Sequence, residues 1–192
     1  ESGAWPSRGF YTGLLDLGSF IKPRGHFRAS LWSEKPVTYI GTYPKGDYLS
    51  VDAWDIWNYN QNDEIRVVCY TNSPQARLLL NGEIVGEMKA YDQKTGVIHW
   101  DIPYSDGELI AEGCDKNGNV MSKYSIKSSG LPYALRVSVD NATPSKNRAT
   151  SHITIEVVDK DGNVVKLGDN NITCTIDGEA KLLGLEGSDN SD

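Results

Sequence analysis

From Thr38 to Lys127 apolar and polar positions alternate with a period of two. The runs Thr38 to Tyr43, Glu64 to Thr71, Ala76 to Leu80, Val97 to Ile102, Glu108 to Asp115 and Val120 to Lys127 are β-branched or aromatic and bounded by turn residues, which predicts strands. Asn81-Gly82 predicts a hairpin between Leu80 and Glu83, because both residues accept the positive φ of a type I′ turn. Strands of this length and spacing fit an all-β, immunoglobulin-like sandwich. Trp54, Trp57 and Trp100 are expected to supply its large core or inter-sheet contacts.

The small, polar link Ser128-Ser129-Gly130-Leu131-Pro132 interrupts the pattern, which restarts at Ala134 to Val139. Ile153, Ile155 and Val157 alternate with Thr154, Glu156 and Val158. Asp159-Lys160-Asp161-Gly162-Asn163 then predicts a turn into Val164-Val165. Asn171 to Ile176 and Lys181 to Leu185 read as further strands. Four or five strands fall short of the about seven of a closed sandwich, so this second module is expected to be truncated, with an open edge that pairs with another copy or leaves the module disordered in part.

Ahead of the strands the pattern differs. Trp5 to Pro36 is rich in aromatic and basic residues, punctuated by Gly9, Gly13, Gly18 and Gly25. One helix is predicted after Pro23, with Phe27 and Leu31 a turn apart on one face and Ser33 to Pro36 ending it. So short a helix is marginal in water and requires a partner for its apolar face. The predicted organisation is therefore 1–36, a helical lead-in; 37–130, a sandwich; and 131–192, the beginning of a second one.

Composition narrows the function. A formal charge of −7 argues against a nucleic-acid surface, which needs a basic face. No apolar run approaches the roughly 18 residues of a membrane-spanning helix, and Glu1-Ser2-Gly3 does not open a signal peptide. Cys69, Cys114 and Cys174 lie far apart in strand-like runs, without the close pairs of a zinc or redox site, and read as small buried hydrophobes; one disulfide with one free thiol is the alternative.

Few residues suggest chemistry. Asp115-Lys116-Asn117-Gly118-Asn119 and Asp159-Lys160-Asp161-Gly162-Asn163 are dense in oxygen donors. However, their glycine comes fourth rather than sixth, and the twelfth residue from Asp159 is Asn170 rather than glutamate, so they read as equivalent hairpin turns and not calcium loops. His26, His99 and His152 are too scattered for a metal set. Carboxylate pairs such as Glu108 with Glu112 fit solvated strand faces. Trp54, Trp57 and Tyr59, with Trp100, are the candidate substrate-binding residues, as a sugar-stacking platform; core packing is the competing reading. Asn141-Ala142-Thr143 and Asn171-Ile172-Thr173 match the short glycosylation pattern.

A resemblance adds more. Trp5-Pro6-Ser7-Arg8-Gly9-Phe10-Tyr11-Thr12-Gly13-Leu14-Leu15-Asp16-Leu17, then Phe20-Ile21-Lys22-Pro23-Arg24, Leu31-Trp32-Ser33 and Lys35-Pro36 resemble the end of the catalytic barrel in β-galactosidase-like enzymes of glycoside hydrolase family 2. Trp57-Asn58-Tyr59, Tyr70-Thr71-Asn72, Leu78-Leu79-Leu80-Asn81-Gly82, Trp100 with Ile102-Pro103-Tyr104, and Gly107-Glu108-Leu109 resemble the sandwich module that follows it. Leu182-Leu183-Gly184-Leu185-Glu186 is similar to the start of the next module.

The resemblance implies a (β/α)8 barrel upstream that carries both catalytic glutamates of a retaining mechanism. None of the ten glutamates here sits in a matching motif, so no catalytic residue, no metal and no cofactor is expected on this chain. What it implies is a non-catalytic C-terminal fragment of a periplasmic or secreted glycosidase, bracing the missing barrel and meeting carbohydrate only through the parent enzyme. A carbohydrate-binding module and a structural cell-surface repeat are the rival readings.

Overall fold

The computed structural model describes residues 13–16, 18–140 and 150–187. The chain forms two compact units: one takes in the chain up to Lys127 together with residues from Ile176 onward, the other is Ser128–Thr175. Trp5 to Thr12, Leu17 and Asn141 to Thr143, which carry parts of the resemblance and one glycosylation pattern, lie outside the described residues.

In the first unit helix α1 spans Pro23–Trp32, with proline in its first turn, where a missing N–H costs no hydrogen bond. Seven strands follow: β1 (Thr38–Pro44), β2 (Glu64–Thr71), β3 (Gln75–Leu80), β4 (Glu83–Ala90), β5 (Ile98–Pro103), β6 (Glu108–Cys114) and β7 (Val120–Lys127). They form an antiparallel sheet β1-β2-β5 and another, β4-β3-β6-β7. Three strands facing four is the immunoglobulin-like sandwich. Strand β4, from Glu83, completes the predicted hairpin; Asn81 and Gly82 both have positive φ, 53° and 86°.

The alternation along each strand sorts side chains between two clusters. Ile40, Ile65, Val67, Cys69, Ile98, Trp100 and Ile102 from the first sheet meet Ala76, Leu78, Leu109, Ala111 and Ile126 from the second, and Trp57 and Tyr104 join the same core. The other face of the first sheet buries Tyr39, Val68, Tyr70 and Val97 beneath Ala53 and Phe27. Trp100 ties the two sheets: its indole N–H donates to the Glu87 carbonyl at 2.9 Å, and Gly86 leaves room for the ring.

Among the described residues the second unit contains one ribbon, β8 (Ala134–Val139) against β9 (Ile153–Val158). Its register sets Leu135, Val137 and Val139 opposite Val157, Ile155 and Ile153, an apolar face, with the Arg136–Glu156 ion pair on the other. The strands expected at Asn171 to Ile176 and Lys181 to Leu185 are not present: those residues make no ladder, and Val164 forms only an isolated bridge to Val158. Alternation there is real, but a strand also needs a neighbouring backbone to exchange hydrogen bonds with.

Candidate functional site

The candidate residues fall in different environments. Trp57 is 1% exposed; its indole N–H donates to the Ser105 carbonyl at 3.1 Å, and its ring meets Tyr104 edge-on at 5.0 Å. Tyr59 packs partly buried against the core, with its hydroxyl 2.7 Å from Thr42 Oγ1, and burial raises its pKa. Trp54, expected in the core, is instead 47% exposed, because its residue lies outside the strands, on a segment crossing β1. The three therefore do not form one flat platform. Of the candidates, only Trp54 offers an indole face to solvent.

The outer face of the β1-β2-β5 sheet gathers the remaining polar and aromatic chemistry. At one end helix α1 lays His26 flat on Tyr39, centroids 4.1 Å apart and planes 10° apart, and sets Phe27 edge-on to Tyr70 at 5.5 Å. Burial, the first cause in each case, raises the pKa of Tyr39 and Tyr70, so both stay neutral phenols. At mid-sheet, burial and then the cations Lys89 and Arg66 lower the pKa of His99.

Toward the far end, β2 and β5 place Arg66 opposite Asp101. The guanidinium clasps the carboxylate with bonds of 2.7 and 2.9 Å, and this contact holds Asp101 below the usual carboxylate range. The remaining Nη1 of Arg66 donates to the carbonyls of Gly46 (2.9 Å) and Tyr48 (2.7 Å), pinning the loop after β1. Tyr48 stacks on Tyr43 at 5.4 Å with planes 7° apart. Lys45 pairs with Glu64 at 2.7 Å beside them. The sequence gives little reason to single out Tyr48; its local signal is a Pro-Lys-Gly-Asp turn flanked by two tyrosines.

Carboxylates elsewhere serve structure. Asp115 accepts the backbone N–H groups of Asn117 and Asn119 and the Asn119 amide; Asp159 does the same with Asp161 and Asn163. Asp159 also accepts the Gly130 N–H at 2.8 Å, and that bond leads the causes lowering its pKa to about 2. With oxygens so occupied, both turns work as folded Asx turns. Asp92, held first by the Lys94 N–H, and Asp115, held first by the Asn119 side chain, are likewise lowered. A general acid for glycoside cleavage needs the opposite shift. Among the described residues no group of His, Cys, Asp and Glu converges as a metal set, and no helix is long and apolar enough to cross a membrane.

Three strands facing four, with a docked helix, define an all-β sandwich module. Residues 135–192 match the model of glycoside hydrolase family 2 C-terminal domain 5, and residues 62–122 match a domain of unknown function, DUF4982. The chain is 26% identical over 186 residues to the β-galactosidase BoGH2A of Bacteroides ovatus, a match covering 95% of this chain and 20% of that protein. A putative β-glucuronidase of Formosa agariphila is 27% identical, over 96% of this chain and 17% of its own length. A crystal structure of a glycosyl hydrolase family 2 member from Bacteroides cellulosilyticus superposes with a TM-score of 0.69 and 29% identity, covering 80% of this chain and 22% of that one. Residues 135–192 thus match a C-terminal domain of glycoside hydrolase family 2, and the chain as a whole is similar to part of that family's β-galactosidases and related glycosidases. It spans about a fifth of the length of the curated relatives it matches.

Proposed function

We propose that this chain is the non-catalytic scaffold of a bacterial retaining glycosidase of β-galactosidase type, exported to the periplasm or beyond, and that it braces the catalytic barrel. The observation that carries this is that α1 and the segment before it keep apolar side chains open next to those they bury. His26 and Phe27 are seated on the sandwich. Leu31 and Trp32 are exposed, Trp32 by 70%, and the preceding Leu15–Ile21 bridge leaves both of its side chains open as well. Apolar side chains gathered on one element favour a cover, and in this reading the cover is the barrel. The names of two relatives, β-galactosidase and putative β-glucuronidase, support a glycosidase parent.

In this role the chain moves no proton and forms no bond to sugar; it fixes the barrel's last helix through the aromatic stack. Two measurements test the proposal. The 192-residue chain incubated with a chromogenic β-galactoside is expected to give no turnover above a blank, and turnover would sink it. In the whole parent enzyme, Leu31→Glu with Trp32→Glu is expected to lower Tm; an unchanged Tm would show that nothing covers this face.

A further inference from the structure

Tyr48 combines two properties that seldom coincide: it is 60% exposed, and the backbone of its loop is tied down by hydrogen bonds on several sides. Its loop is fixed by the Lys45 N–H on the Glu64 carbonyl (2.9 Å), by Arg66 on the carbonyls of Gly46 and Tyr48, and by the Ser50 N–H on the Tyr43 hydroxyl (2.9 Å). Arg66 is itself anchored by Asp101. The Tyr48 ring lies along Tyr43 and beside Gly46, where a Cβ would come within 2.9 Å of the ring. A bare backbone at that position is what lets the ring lie flat.

An aromatic surface fixed before binding loses little side-chain entropy when a ligand arrives. Its surroundings say what kind of ligand fits. Lys45, Asp47 and Glu64 are exposed around the loop, and Lys45 bridges Glu64 at 2.7 Å and Asp101 at 3.7 Å. Mixed donors and acceptors of both charges suit a neutral ligand with many hydroxyls better than an ion. A flat apolar patch rimmed by hydroxyls is one face of a pyranose ring. In a galactosyl unit the axial 4-hydroxyl leaves the C3, C4 and C5 hydrogens together on one face, an area matched to a phenol ring.

We propose that Tyr48, backed by Tyr43 and the Arg66-pinned loop, is a stacking site for a terminal β-galactosyl unit, separate from the catalytic barrel. This rests on the glycosidase reading for its substrate class. The site would hold a chain end near the enzyme, with the weak affinity of a single ring contact.

The test is an amide-resolved NMR titration of the 192-residue chain with lactose, to about 50 mM, well above a millimolar Kd. Saturable shifts are expected at Gly46, Asp47, Tyr48, Leu49 and Ser50. Cellobiose should bind at least about fivefold more weakly, a difference of about 1 kcal/mol. Tyr48→Ala should abolish the shifts with amide dispersion intact, and Tyr48→Phe should keep them. No saturable shift in this loop would overturn the site, as would shifts centred on Trp54 that survive Tyr48→Ala. Equal response to cellobiose would overturn the galactosyl assignment. These outcomes are independent of whether the parent enzyme hydrolyses a galactoside, so the failure of one reading is distinguishable from the failure of the other.

Discussion

Gly41 on β1 lies directly beneath the Ala53 carbonyl, so close that a Cβ added to Gly41 would fall inside the carbonyl oxygen and carbon. That contact lets the segment carrying Ala53 and Trp54 cross β1, where the Thr42 N–H donates to the Trp54 carbonyl at 2.8 Å. Because the obstacle is backbone rather than a flexible side chain, Gly41→Ala should cost about 3 kcal/mol or more. Gly118→Ala is the control: its φ is +86° with open space around it, so the variant incurs only the left-handed strain of about 1–2 kcal/mol. Urea midpoints of the two variants check the order; a Gly41→Ala midpoint equal to wild type would contradict the close crossing.

The same sheet face holds α1 by aromatic contact. Phe27 is half-buried against Tyr70, so Phe27→Ala is expected to remove about 1–2 kcal/mol, less than a fully buried ring. The helix should loosen before the sandwich does. Amide exchange resolved along the chain should therefore speed up in Pro23–Trp32 while β2 and β6 stay protected. Uniform acceleration would mean that helix and sandwich open as one.

Asp159 makes acid stability predictable in sign. Its folded pKa of about 2 lies below the ordinary 3.8, chiefly because the Gly130 N–H favours the charged form. A lowered carboxylate contributes stability that is complete above pH 4 or so and drains away as pH falls through 3.8 toward 2. Wild type should therefore be more stable than Asp159→Asn at pH 6, and the gap should narrow over that interval. Thermal melts of both proteins between pH 6 and 2 measure it; a constant gap would remove the charge from the account.

The thiols should differ in reactivity. Cys69 and Cys114 are fully buried and free, and burial pushes Cys69 up to about 12, whereas Cys174 is partly open. Native protein is expected to titrate one thiol with Ellman's reagent, at Cys174, and denatured protein three. Rapid native labelling of Cys69 would require the core to open.

Much of this was legible from local chemistry. Period-two runs mark β-strands because alternate side chains leave opposite faces of a pleated backbone, and Glu64–Thr71 and Val120–Lys127 occupy the lengths that the pattern marks. Asn81-Gly82 specifies its hairpin because few residue pairs tolerate positive φ twice. Pro23 sets the start of α1 by its fixed φ. The order of short motifs, from Trp5 through Leu109 and on to Leu182–Glu186, carries the family resemblance, since each motif is contiguous in the chain itself.

What only the tertiary structure decided concerns partners distant in sequence. Trp54 and Trp57 look equivalent in the sequence, yet one is open and the other sealed, because burial depends on what crosses above each ring. Asn171 to Ile176 alternates as well as any strand here, but without a neighbouring backbone it forms no ladder. The Tyr48 loop takes its place against β2 through Arg66, eighteen positions away, which donates to the Tyr48 carbonyl. Periodicity is a property of one segment and can be read along it; exposure and pairing belong to two segments at once, and folding alone brings those together.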